Sequence, residues 1–384
     1  TQHALLLLAE LREKKQAIED EVHNTFKPKW VDDKLVTPYI KKDGDLSKRG
    51  LTDDEYNRCI TTQDMNPFMR QQLVDFNLGS RKQIGEYLID FGWKPDRFTP
   101  TGQPIVDEKT LSEITHIHEA NLIAQFLLLQ KRIAQIDSWI EATEEDERVH
   151  GFVIPNGAIT GRMTHRNPNM AQVPSSHSPY GKECRACWIV EDNNVLLGVD
   201  ASGLEIRMLA HYMNDEEYTN EILNGDVHTA NQELAKLESR DKAKTFIYAL
   251  MYGAGDEKLG KVVGGSTADG KRARQYFFDN KPEFKSLRDR VQRASAKKYL
   301  KGIDGRKLYI RNSHAALNTL LQGAGAIVMK KALSLLDTKL KLNTIDYKFV
   351  ANIHDEWQVE VKESQAHFVG LRAVEAIIEA GEYF

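Results

Sequence analysis

The chain has 384 residues, 41% hydrophobic and 28% charged, with a formal net charge of −4, enough for one large core or two to three ordinary domains. No apolar run approaches the ~18 residues that span a bilayer, which excludes a membrane protein, and the hydrophobic share excludes a disordered chain. Three cysteines, Cys59, Cys184 and Cys187, are too few for a disulfide scaffold and predict residence in the reducing cytoplasm.

The first 24 residues read as an amphipathic helix. Charge from Glu10 onward interrupts the LLLL run at 5–8, so this is no signal sequence. Residues 25–70, punctuated by Pro28, Pro38, Gly44, Gly50 and Pro67, are expected to be polar and irregular, an insertion or flexible tip. Helical periodicity returns at 80–91 and at 111–140, where NLIAQFLLLQKRIAQI repeats apolar residues at helical spacing. His116 and His118, two apart on that predicted helix, would point in different directions, and His150 and His165 have no metal-ligand company. Residues 150–172, rich in Gly, Asn and Pro, predict turns and short strands. The pair Cys184 and Cys187 has redox or zinc spacing, but no second pair or histidine stands nearby, and both read as strand cysteines.

Residues 188–199 have strand composition, broken by a turn at 192–194 and ending in the buried-looking run VLLGVD. A helix at 204–212 should follow, and helices then dominate to about Leu300. A turn at Asp304-Gly305 separates short strands that lead into a long helix at 315–340, and strands at 348–353 and 357–361 flank His354-Asp355-Glu356. No repeat and no low-complexity tract is visible.

Charge is unevenly distributed along the chain. Residues 240–311 hold 19 Lys plus Arg against 8 Asp plus Glu, a local +11 that leaves −15 elsewhere. Such a segment can neutralise phosphates while carboxylates elsewhere hold metal, although a solvated basic surface is its ordinary meaning. Asp200 ends an apolar strand and Asp355 sits in the turn between two strands. Carboxylates there need water, a partner or a cation, and two such sites suggest a hard metal such as magnesium. Arg240, Lys244, Tyr248 and Tyr252 follow at four-residue steps; each step drifts about 40° on a helix, which puts two cations and two aromatics on one broad face. Cations can bind a triphosphate and aromatics can stack on bases, whereas a plain basic amphipathic helix would show the same spacing. The segment 265–271 nearly spells a phosphate loop, but Arg272 stands where Ser or Thr is required, so it reads as a connection between helices.

These segments resemble the motifs of family A DNA polymerases, in the family order and over about residues 75–384, most of all the enzymes of short-tailed bacteriophages. Asp200-Ala-Ser-Gly-Leu-Glu205-Ile-Arg207 resembles motif A, RDKAKTFIYALMYG motif B and HDE motif C. Thr160-Gly161-Arg162 through Gln172-Val-Pro174 resembles the primer-template strip, and Gly225-Asp226-Val227-His228 the nucleotide-binding histidine segment. The resemblance implies an α+β right-hand fold with an antiparallel palm sheet and mostly helical thumb and fingers. It implies a thumb at 1–144 with an insertion at about 24–77, a palm at 145–212 and 314–384, and fingers at 213–313.

The implied reaction adds deoxynucleotides to a primer 3′ end under template direction. Two Mg2+ ions would be held by Asp200, Asp355 and the Ala201 carbonyl, with Glu356 auxiliary. Arg240, Lys244 and His228 would grip the triphosphate, and Lys244 would protonate the leaving pyrophosphate. Glu205 would crowd a ribose 2′-hydroxyl, Tyr248 would stack by the incoming nucleotide, and Tyr252 would hold the template position. Arg162, Asn318, Gln322 and His354 would touch the duplex through minor-groove acceptors. Taken singly, these residues also fit a surface cation or ordinary helix amides. A single-subunit RNA polymerase would share the palm carboxylates and helix lysine, but Glu205 and HDE argue against it. Both aspartates, Lys244 and Arg240 together argue against an inactive nucleic-acid scaffold. Primer-template DNA and dNTP are the implied partners. Relatives carry a 3′ to 5′ exonuclease domain, a last palm strand and a terminal helix that this sequence is expected to lack. The thumb insertion is open to three roles: a clamp loop, a processivity-factor site, or a plain surface insertion.

Overall fold

The computed structural model describes residues 1–384, which divide into two compact units: residues 1–149 with 176–187, and residues 150–175 with 188–384. No helix is long and apolar enough to cross a membrane.

The first unit contains α1 (Gln2–Thr25), β1 (Lys29–Val36), α2 (Asp53–Thr62), β2 (Phe68–Val74), α3 (Arg81–Asp90), α4 (Glu108–Glu113), α5 (His118–Glu141) and α6 (Gly181–Ala186). Ala4, Leu7, Leu8 and Leu11 bury the helical stripe of α1, which packs along α5. Phe26, Phe76 and Tyr87 meet edge-on or tilted in a core with Leu78, Ile84 and Trp93.

Residues 25–70 are not irregular. β1 and β2 pair antiparallel, Trp30 opposite Leu73 and Leu35 opposite Met69, around an irregularity between Asp32 and Lys34. That break and the Asp32-Asp33 pair destroy the local alternation, so the pairing has no short-range signature. A readable sign did exist: Thr52 and Glu55 form a reciprocal capping box that starts α2. Glu55 also pairs with Arg70, which holds its carboxyl down to about 2.

The helix expected at 111–140 is split. His116 lies between α4 and α5, and His118 opens α5 with its ring 3.3 Å from Glu21; the break lets both Ile114 and Ile117 enter the core. The two cysteines are not on a strand: Cys184 lies in α6 and Cys187 caps it, since KECRA contains no β-branched residue. Burial pushes the Cys184 thiol up to about 11 and raises that of Cys187, which disfavours the thiolate that a nucleophilic cysteine needs.

The second unit runs β3 (Phe152–Ile154), β4 (Thr164–Arg166), β5 (Asn194–Asp200), α7 (Leu204–Met213), α8 (Glu216–Asn224), α9 (Val227–Ala235), α10 (Arg240–Met251), α11 (Asp256–Val263), α12 (Thr267–Asn280), α13 (Pro282–Ser295), β6 (Tyr299–Lys301), β7 (Lys307–Tyr309), α14 (Ala316–Leu342), β8 (Tyr347–Ile353), β9 (Glu356–Lys362) and α15 (Ala366–Tyr383). The sheet is antiparallel in the order β5-β9-β8. Alternate residues Trp357, Val359 and Val361 of β9 enter a core with Ala332 and Leu336 of α14 and Val369, Ala373 and Ala376 of α15, as period-two burial requires.

Residues 188–193 lie outside β5; the strand starts only at Asn194, because the turn residues ahead of it cannot continue the ladder. Between β5 and β6 the helices enclose a second core around Phe246, Leu250, Phe277 and Phe284. Of the 265–271 segment only Gly265 and Ser266 connect helices, while 267–271 already form the start of α12: Gly264 ends α11 at φ +81°, and Ser266 caps α12 through a box with Asp269.

Candidate active site

β5 carries Asp200 out at its end, in register with Glu356 at the start of β9. The Ala201 amide donates to the Asp355 carbonyl at 3.1 Å, so the sheet itself brings together two aspartates 155 positions apart. Partial burial, then the charges of Asp355 and Glu356, push the Asp200 carboxyl above the ordinary carboxylate range. Neither aspartate is ion-paired with a Lys or Arg, whereas Glu356 accepts from the Gln358 amide. No cluster of three or more ligating side chains exists here. A pair of uncompensated carboxylates beside a carbonyl fits the hard-oxygen, partly filled donor set that magnesium takes when waters and phosphate oxygens supply the rest.

α10 carries Arg240, Lys244 and Tyr248 at four-residue steps, and Tyr252 is its C-cap. Ser239 caps the helix through the Lys242 amide, and Phe246, Ile247 and Leu250 bury its other side. Arg240 at the first turn pairs with Asp226, Nη2 to Oδ1 at 3.1 Å, and this holds the Asp226 carboxyl far below the carboxylate range. Asp226 also caps α9 through the His228 amide. Burial, then Arg240 and Lys244, push the His228 imidazole down; its Nδ1 is buried with no hydrogen-bond partner. Arg240 and Lys242 have carboxylate partners, while Lys244 has none. The Tyr248 ring lies 6.4 Å from His228 and 6.3 Å from Tyr252. Burial, Glu205 and Asp355 push its phenol up, so it remains an O–H donor.

Glu205 on α7 is held from two sides. Arg162 Nη2 donates to Oε1 at 2.9 Å and the Tyr252 hydroxyl donates to Oε2 at 2.7 Å. The sequence reading assigned these three residues separate contacts; the structure joins them in one clamp. His354 turns the β8–β9 connection at φ +61°, and burial, then Arg162, push its imidazole down. Asn318 and Gln322 lie one turn apart on α14, with the Asn318 Oδ1 buried and unpartnered. Small residues bring α14 close to the site: a Cβ on Gly323 would meet Leu308 at 3.0 Å and the Thr160 carbonyl at 3.5 Å, and one on Gly325 would meet Leu204 at 2.9 Å.

Two residues take roles that the sequence reading did not assign them. Asp226 anchors Arg240, and its signal was an Asp directly before a helix. Lys330 of α14 donates to the Pro155 carbonyl at 2.6 Å, the Asn156 side chain at 3.0 Å and the Gly161 carbonyl at 2.6 Å; its signal was a lysine beside the apolar run AIVM.

Known proteins are similar to this chain in sequence and in fold. The DNA-directed DNA polymerase of Enterobacteria phage T3 is 40% identical over 360 residues, covering 83% of this chain and 51% of its own. That of Escherichia phage T7 is 39% identical over 360 residues with the same coverage. The chain thus spans about half the length of these relatives. Its fold is that of the POL domain of Pol1 from M. smegmatis, solved in complex with DNA primer-template and dNTP, with a TM-score of 0.74, 20% identity and coverage of 97% of this chain and 63% of that one. The α+β right-hand polymerase fold follows, and residues 54–382 match the family model itself, so the chain belongs to DNA polymerase family A.

Proposed function

We propose that the chain adds deoxynucleotides to a primer 3′ end under template direction, with no exonuclease activity of its own. The observation that carries this reading is the uncompensated Asp200–Asp355 pair, of which Asp355 acts on Tyr248, on the same helix as the unpartnered Lys244. Residues 1–144 would form the thumb, 145–212 and 314–384 the palm, and 213–313 the fingers.

In the reaction the primer 3′-hydroxyl gives its proton to solvent water and its oxygen bonds to the α-phosphorus as the bond to the pyrophosphate oxygen breaks. When held by Asp200, Asp355 and the Ala201 carbonyl, two magnesium ions supply Lewis-acid activation of that hydroxyl and neutralise triphosphate charge. Arg240, Lys244 and His228 bind the phosphates, and Lys244 gives a proton to the departing pyrophosphate. Arg162, His354, Asn318 and Gln322 hold the duplex, and Tyr252 and Glu205 hold the template side and the sugar side of the new pair. Most of the rate comes from positioning and electrostatics. The test is a labelled primer on a longer template with magnesium and single nucleotides. Extension is expected only with the complementary dNTP; equal use of ribonucleotides, or extension without regard to template, overturns the reading.

Tyr248 gives a finer test. Its hydroxyl, kept protonated, can take over the polar contact that a nucleotide's 3′-hydroxyl otherwise supplies in a partly desolvated pocket. Wild type is therefore expected to accept dideoxynucleotides readily. Tyr248→Phe removes the substitute, and one unmade hydrogen bond at ~1–3 kcal/mol corresponds to roughly ten- to hundredfold discrimination. Competition of chain-terminating with normal nucleotides measures it; equal termination by both proteins removes Tyr248 from the nucleotide site.

A further inference from the structure

An ammonium has three donors, and Lys330 spends all of them on one loop. Its acceptors, the Pro155 carbonyl, the Asn156 side chain and the Gly161 carbonyl, stand at the two ends of residues 155–161, so a single cation ties those ends together. The loop is already tight. Gly157 and Gly161 donate to the carbonyls of Ile154 and Ala158 at 3.2 and 2.9 Å, and Ala158 donates to that of Arg162 at 3.2 Å. A Cβ on Gly157 would lie 1.8 Å from Thr164 Oγ1, and Gly161 takes φ +79°.

The Gly161 carbonyl belongs to the planar peptide unit that carries the Arg162 nitrogen. Fixing that oxygen therefore fixes the backbone from which Arg162 reaches Glu205, 2.9 Å away. The amine is retained at a cost, since it is half-buried and has no carboxylate partner; burial and the nearby Arg306 push its proton affinity down. A methionine would fill similar space without that cost, so what the amine adds is its hold on the loop.

We propose that Lys330 is a positioning residue, which pins residues 155–161 to α14 and so presents the Arg162 guanidinium to Glu205 and to the primer terminus. The kinetic half of this inference rests on the polymerase reading; the structural half does not. The experiment compares the full chain with Lys330→Met, Lys330→Arg, Arg162→Ala and the double variant Arg162→Ala/Lys330→Met. Hydrogen exchange over 155–163 is expected to rise at least tenfold in Lys330→Met, by loss of the tie, and to fall back toward wild type in Lys330→Arg. The KM for primer-template should rise about tenfold in Lys330→Met, with kcat changing less, since a loosened Arg162 weakens duplex binding first. On the Arg162→Ala background, Lys330→Met should cost nothing more, because the two act through one contact. Unchanged exchange, or costs that multiply in the double variant, overturns the proposal. Should wild type extend no primer, the polymerase reading fails and exchange still decides the structural half. Should Lys330→Met fail to fold, Lys330→Gln, which keeps two donors, is read the same way.

Discussion

Replacing either Asp200 or Asp355 by alanine is expected to lower primer extension at least about a thousandfold while leaving primer-template binding near normal. Stabilising the charge that develops at phosphorus takes several kcal/mol, and ~4 kcal/mol corresponds to that factor. The ground-state duplex does not need these carboxylates. They are negative, burial and then the charge of Asp355 already lift the Asp200 carboxyl, and removing one from beside a phosphate chain weakens nothing that attracts it. Binding energy lost only in the transition state appears in kcat. Single-turnover extension and fluorescence anisotropy on the same labelled duplex separate the two quantities. Chelation of divalent ions should copy the variants' kinetic defect in wild type. Extension within about tenfold of wild type, only ~1.4 kcal/mol on the barrier, would sink the assignment of both aspartates as metal ligands.

What could be read from the sequence was local. The four-residue spacing of Arg240, Lys244, Tyr248 and Tyr252 is a property of α10 alone, and an apolar strand that ends in Asp200 is a property of β5 alone. What could not be read depends on distant partners. Glu205 reaches Arg162 and Tyr252, 43 and 47 positions away, and Lys330 reaches across 169 to 175 positions. β1 and β2 were hidden because their broken alternation becomes a strand pattern only when each is set against the other. α15 was hidden for the opposite reason. Val369, Ala373, Ala376 and Ala380 bury one stripe of small residues, while Leu371, Val374 and Ile378 stand exposed on the other side, so apolar residues ring the helix and blur its period.

Lys244→Ala is expected to slow the chemical step by about 10²–10⁴, the range general acid catalysis supplies, with no loss of stability, because Lys244 is exposed and unpaired. The neighbouring groups are poorer acids. Arg240 is committed to Asp226, and a guanidinium does not give up its proton at any working pH. His228 is pushed toward its neutral form by burial and by the two cations beside it, which lowers the share of it that carries a transferable proton. Lys244→Arg separates the two services the lysine could render. It keeps the positive charge beside the phosphates but removes the transferable proton. If Lys244 serves as acid, Lys244→Arg stays at least about a hundredfold slow and the solvent isotope effect of the wild-type step is lost with it. If charge alone matters, Lys244→Arg recovers to within about tenfold, and the proton must come from water. Lys244→Ala running within tenfold of wild type would take this residue out of the reaction altogether, leaving the cationic end of α10 with a role in binding only.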